Sequence, residues 1–238
     1  MTGARAHSGC VRNNRAVTSS SDLIERADRL RALVDGQPEN CAEIVPQLTA
    51  MLSPTEEPDV LIAVAAALGA AWNDAASVAL LPFVAHPDDR VRLAVTRSLA
   101  GGLESPGVKA LIGEALIVLT NDPSSDVRDW ATFGLGSILD LDTPAVREAL
   151  RARLWDSDID TQQEALVGLA ERRDPLVLVL LADKLRAERV DRLTVDAARA
   201  FADPSLLLPL LALSHRWDLD TELLERAIQA CRLGQQEE

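Results

Sequence analysis

Pro87-Asp88-Asp89-Arg90-Val91-Arg92 returns 36 residues later as Pro123-Ser124-Ser125-Asp126-Val127-Arg128. A motif repeating at a fixed period commits a chain to a row of like units, each burying its apolar face only against the next. The match runs on through Val95 and Ala131, Thr96 and Thr132, Leu99 and Leu135. A third copy passes from Asp156 through Thr161 to Ala165 and Leu169, with Gln162 in place of the arginine. Weaker copies are anchored at Val60 upstream and at Leu193 and Leu223 downstream. The six anchors (Val60, Val91, Val127, Thr161, Leu193, Leu223) therefore follow at 31, 36, 34, 32 and 30 residues.

Within each copy apolar residues stand at +0, +4 and +8 from the anchor, one stripe of an α-helix. The +7 position reads Ala67, Ser98, Gly134, Gly168, Ala200 and Ala230. Glycine inside a helix costs about 1 kcal/mol against alanine, so Gly134 and Gly168 imply close helix approach. A second helix precedes each of these. Four of them open on a capping residue followed by proline: Ser105-Pro106, Thr143-Pro144, Asp174-Pro175 and Asp203-Pro204. Pro46, Pro82 and Pro209 fall inside first helices and predict kinks. Sustained period-two alternation is lacking, so no sheet is expected.

Paired helices of 30–36 residues, an Asp-x-x-Val-Arg entry and a kinking proline resemble HEAT repeats, over about residues 38–233. The resemblance implies an all-α, right-handed α-solenoid of about six HEAT-like hairpins, with second helices lining a concave face. It also implies that Arg92 and Arg128 form an inter-repeat ladder, with Asp89 and Asp126 as partners. The expected organisation is a disordered tail over 1–20 and a capping helix over 21–34. Hairpins follow over about 38–71, 74–102, 105–140, 143–171, 174–202 and 203–233, then a polar tail over 234–238.

Charge narrows the function. Lys+Arg of 24 against Asp+Glu of 37 gives −13. The first twenty residues hold Arg5, Arg12 and Arg15 and no acid, so the body is more acidic than the whole. Such a balance argues against a phosphate-binding surface and for a basic partner. With no apolar run long enough for a membrane span and no secretory h-region, the expectation is cytoplasmic. Cys10, Cys41 and Cys231 give neither a disulfide framework nor metal spacing. His7, His86 and His215 stand apart from any nucleophile motif, and no catalytic residue, metal or cofactor is expected. Asp156-Ser157-Asp158-Ile159-Asp160 imitates a calcium loop, but Thr161 and Val167 replace the glycine and glutamate such a loop needs.

The +3, +6 and +10 positions should face the groove. They read Ala94, Trp130, Glu164 and Asp196, then Arg97, Phe133, Val167 and Arg199, then Gly101, Ser137, Glu171 and Asp203. That strip is mixed and mildly acidic, unlike the basic face of the HEAT-like DNA glycosylases. Trp130 and Phe133, one helical turn apart in a chain with only seven aromatics, read either as filling a gap between repeats, with the indole over Thr96 or Glu164, or as a protein-binding anchor rimmed by Asp129, Arg97, Glu164 and Arg199. Trp72, Trp155 and Trp217 read as packing between repeats. The leading expectation is a monomeric, non-enzymatic scaffold for a protein of basic surface. The alternative is a HEAT-like lyase or glycosylase using a groove carboxylate.

Overall fold

A computed structural model describes residues 19–234 except Gly36 and Asp218. Most of the expected tails, residues 1–18 and 235–238, lies outside the described residues, as do Cys10 and His7. Among the described residues there is no strand.

The helices form two layers. The second helices are α1 (Ser20–Val34), α3 (Pro58–Ala70), α5 (Asp89–Leu99), α7 (Ser125–Phe133), α9 (Ile159–Glu171), α11 (Arg192–Phe201) and α13 (Thr221–Leu233). Each packs on the next. The first helices are α2 (Cys41–Thr49), α4 (Asp74–Leu80), α6 (Pro106–Leu119), α8 (Pro144–Arg153), α10 (Pro175–Arg186) and α12 (Leu207–Leu213). The expected capping helix is thus a second-layer helix with no first helix before it among the described residues. It begins at Ser20, inside the expected tail, because Ser19 and Asp22 form a reciprocal capping box. Extensive packing joins only neighbouring hairpins, which makes the molecule a solenoid of HEAT-like repeats.

Caps fix the register. An N-cap residue stands three positions before Val60, Val91, Val127, Thr161 and Leu223: Glu57, Asp88, Ser124, Asp158 and Asp220. In the fifth copy the cap is Asp191, which accepts hydrogen bonds from the Thr194 amide and hydroxyl, as Asp158 does from Thr161. The fifth anchor is therefore Thr194, one residue after Leu193. Its +7 position is Phe201, which breaks the series of small residues. Prolines also differ in effect. Pro46 and Pro209 lie within helices, whereas Pro82 sits in a 3-10 turn, Leu81–Phe83, that ends α4. Ser105 makes no side-chain cap bond; Asp74 of the preceding hairpin accepts from the Glu104 and Ser105 amides instead.

The second helices approach through +9 of one repeat and +7 of the next: Gly69 on Ser98, Ala100 on Gly134, Gly136 on Gly168. The last pair is the tightest. A Cβ on Gly168 would lie 2.6 Å from the Gly136 Cα, whereas one on Gly134 would meet nothing nearer than 3.5 Å. Packing demands glycine at Gly168 and at Gly69, whose added Cβ would lie 2.8 Å from the Ser98 Cβ, and leaves little room at Gly136, but not at Gly134. Beyond α7 the backbone widens into a π-helical turn, Gly134–Ile138. Arg172 satisfies the carbonyls freed there, donating to the oxygens of Leu135, Gly136, Leu139 and Leu141 as well as Gly168.

The arginine ladder exists with different acids. Arg92 makes a bidentate pair with Asp122 at 2.7 and 2.9 Å, and Arg128 pairs likewise with Asp156 at 2.9 and 2.7 Å. Asp89 and Asp126, the expected partners, are exposed and unbonded to these arginines. The reason is directional: long helical side chains lean toward the N-terminus, so these reach the junction loop rather than their own first turn. Each arginine also donates to carbonyls of that loop, His86 and Pro87 for Arg92, Asp122 and Pro123 for Arg128. Gln162 keeps this backbone bond alone, to the Asp156 oxygen. Where α8 meets α10, Arg147 and Arg151 converge on the fully buried Asp174.

Replacing Gly168 with alanine should destabilise the chain by about 1–3 kcal/mol although alanine is the better helix former. Gly107→Ala, where an added Cβ meets nothing within 4 Å, should stabilise it by at most about 1 kcal/mol. Denaturant unfolding of both variants checks the opposite signs.

Candidate protein-binding face

Trp130 and Phe133 stand one turn apart on α7, and their rings meet edge to face at 5.6 Å and 89°. Both are half-buried. From α5 the Arg97 guanidinium reaches across to lie 4.5 Å over the Trp130 ring. That places a cation on the electron-rich face of the indole and fixes the ring, an arrangement worth about 0.5–1 kcal/mol at an exposed site. Among the described residues no carboxylate pairs with Arg97.

A hollow of about 200 Å³ opens beside this group, lined by Gly69, Trp72, Thr96, Ser98, Ala100, Gly101, Gly134 and Ile138 with Arg97, Trp130 and Phe133. Trp72 is 67% exposed and Ile138 45%. Sequence reasoning placed Trp72 between repeats; the chain turns there in the left-handed region (φ +46°) and sets the indole beside Gly101, where an added Cβ would come 3.5 Å from the ring. Trp155 is likewise 72% exposed, and of the three only Trp217 is buried, its indole N–H donating to the Val190 carbonyl at 2.8 Å. Gly101-Gly102 was the available signal for Trp72. Gly102 has φ +67° and passes so close to the Trp72 carbonyl that a Cβ would collide with it.

The other half of the face is acidic. Burial pushes the Asp129 carboxyl up to about 6, helped by the charges of Asp158, Asp160 and Asp126. Burial pushes Glu164 up to about 7, helped by Asp129, Asp160 and Asp196. Asp129 Oδ1 is buried with no hydrogen-bond partner. The charge of Asp129 on α7 thus bears on Glu164 of α9, and among the described residues no cation pairs with either. Arg199 does not join the aromatic group; it is bound to Asp196 at 2.8 Å and lies 3.8 Å from Glu171. Val167, expected on this face, is buried.

The calcium-like run is dispersed among other duties. Asp156 is gripped by Arg128 and Arg153, which hold its carboxyl at about 2, and Asp158 caps α9. His86 Nδ1 accepts from the Asp88 amide in a turn. Among the described residues no helix is long and apolar enough to cross a membrane.

No family model matches the chain. It is 34% identical over 134 residues to Protein YibA of Escherichia coli, in both strain K12 and strain O157:H7. The aligned stretch is 56% of this chain and 47% of YibA, so the chain spans about half the length of the curated relatives it matches. The X-ray structure of YibA superposes with a TM-score of 0.51 at 21% identity, covering 90% of this chain and 92% of that one. The complex of CpcE and CpcF of phycocyanin lyase from Nostoc sp. PCC7120 gives 0.51 at 16% identity, covering 98% and 99%. At these identities the structural likeness is one of fold.

A carboxyl raised by folding holds its proton more tightly in the folded chain than in the unfolded one. The contribution of Asp129 and Glu164 to stability is therefore full below about pH 4 and lost as pH rises through about 6 and 7. Asp129→Asn and Glu164→Gln should each raise the melting temperature by a few degrees at pH 8 and leave it unchanged near pH 4. Thermal melts across that range check both variants.

Proposed function

We propose that this chain is a non-enzymatic protein-binding scaffold of the HEAT-repeat family whose second-helix face receives a partner of basic surface. The observation that carries this reading is the meeting of half-buried aromatics with unneutralised carboxyls on one exposed face. Aromatics at the centre of a surface patch are the side chains that most often dominate protein association. Carboxyls that repel one another are relieved by a cation supplied from outside. In this reading the scaffold is a cytoplasmic, bacterial monomer, it needs no cofactor, and nucleic acid is not its ligand, since the strip lacks the clustered cations that phosphates require.

A second reading is favoured by one feature. Carboxyls at about 6 and 7 suit a general acid or base near neutrality, as a lyase or glycosylase would require. Neither carboxyl lines the aromatic hollow, so no enclosed substrate cavity surrounds them there. The likeness to the phycocyanin lyase complex is of fold and brings no activity with it.

Fluorescence polarisation with a labelled arginine-rich peptide, a glutamate-rich peptide and a DNA duplex separates these readings. The basic peptide should bind alone, with affinity falling as salt rises. Trp130→Ala with Phe133→Ala should weaken it at least tenfold, a loss of about 1.4 kcal/mol or more. Equal binding of the acidic peptide or the duplex would overturn the assignment.

A further inference from the structure

We infer that the hollow between Trp72, Trp130, Phe133 and Ile138 seats one bulky apolar side chain of the partner, whose adjacent lysine or arginine side chains reach the carboxylates of α7 and α9. This deepens the protein-binding reading and rests on it.

The size of the hollow limits its occupant. At about 200 Å³ it lies below the roughly 300–1,000 Å³ typical of small-molecule sites and has room for a single large side chain. Its walls are mostly apolar, made of two indoles, a phenyl ring, Ile138, Ala100 and the bare backbone of Gly101, with Thr96, Arg97 and Ser98 as the polar part. Trp72 and Ile138 are the most exposed of these, so a partner atom entering here removes water from apolar surface already present in the free chain. The rings are also held in place. Arg97 clamps Trp130 and Phe133 buttresses it edge-on, so the Trp130 ring has little side-chain freedom left to lose on binding.

Charge decides what enters where. The Arg97 guanidinium stands at the wall of the hollow without a carboxylate partner, so a second cation there would be repelled. An occupant of the hollow is accordingly neutral. On the far side of Trp130 and Phe133 the sign reverses, since Asp129, Asp160 and Glu164 have no cation bound among the described residues. A buried carboxylate oxygen without a donor, Asp129 Oδ1, faces the same deficit. Apolar and cationic chemistry are thus segregated along one face. A segment satisfying both carries a large apolar residue with a basic residue a few positions away.

Random dodecapeptides displayed on phage and selected on the full chain test this. Enriched sequences should place leucine, isoleucine, methionine, phenylalanine or tryptophan within four positions of lysine or arginine. A synthetic peptide from that set should bind Gly101→Leu at least tenfold more weakly, because the new side chain fills the hollow while its Cβ meets Trp72 at an ordinary 3.5 Å. Ile138→Ser, at an exposed site, provides an independent loss of apolar wall should the first variant fold poorly. Asp129→Asn with Glu164→Gln should flatten the salt dependence. Basic sequences without an apolar residue, or affinity indifferent to both hollow variants, would overturn the hollow while leaving the basic-partner reading intact. Enrichment of acidic sequences, or of none, would overturn the inference, and acidic ones the broader reading with it.

Discussion

Two glycines in contact set the geometry of the central repeats. Gly136 and Gly168 let α7 and α9 come closer than any side chain would permit, and the structure around them follows from that approach. The backbone after Phe133 leaves α-helical register to make the contact, which frees carbonyls that Arg172 then gathers. A guanidinium in that position works because its five N–H donors fan out in one plane, and burial without such partners would be prohibitive. Burial does pull its pKa downward, yet the surrounding oxygens satisfy it. Across the same two helices the charge of Asp129 adds to the rise of Glu164.

Charges divide by location. At the junctions between repeats every buried carboxylate is met: Asp122 by Arg92, Asp156 by Arg128 and Arg153, Asp174 by Arg147 and Arg151. These pairs hold the acids below their ordinary range and stiffen each step of the stack. On the second-helix face Asp129 and Glu164 have no cation partner among the described residues and rise instead. A chain rich in arginine has spent it on the joints. Among the described residues, the two half-buried acids pushed upward, Asp129 and Glu164, both stand on the second-helix face.

The period and the layer arrangement were legible because they depend on contacts between neighbouring repeats, which a periodic sequence displays, and the caps at Thr143, Asp174 and Asp203 because capping is local, whereas Ser105 makes no such bond. The fifth anchor was misplaced by one residue because Leu193 and Thr194 both satisfy an apolar stripe, and only the Asp191 bonds to Thr194 separate them. The ladder arginines were legible and their acids were not. Spacing from Arg92 to Asp122 is 30 residues, a distance that local cap reasoning passes over in favour of Asp89. The Trp130 and Phe133 pair could be read from helical spacing. Trp72 could not, since its exposure depends on a left-handed turn in a bulky residue, for which propensity gives no warning.

In the proposed reading the raised carboxyls would tie recognition to proton binding. Near pH 6 both Asp129 and Glu164 hold protons for part of the time, and a protonated carboxyl offers a cation a weaker partner. A lysine or arginine arriving between them favours the ionised forms, so association in that range releases protons to solvent. Such release requires that the carboxyls be crowded and dry before the partner comes. It is the reverse of the junction acids, which are already ionised and have nothing to give. The groups that weaken the free fold at neutral pH are therefore the ones a cationic partner would most relieve, and the cost of keeping them in the free chain is what makes them selective for charge.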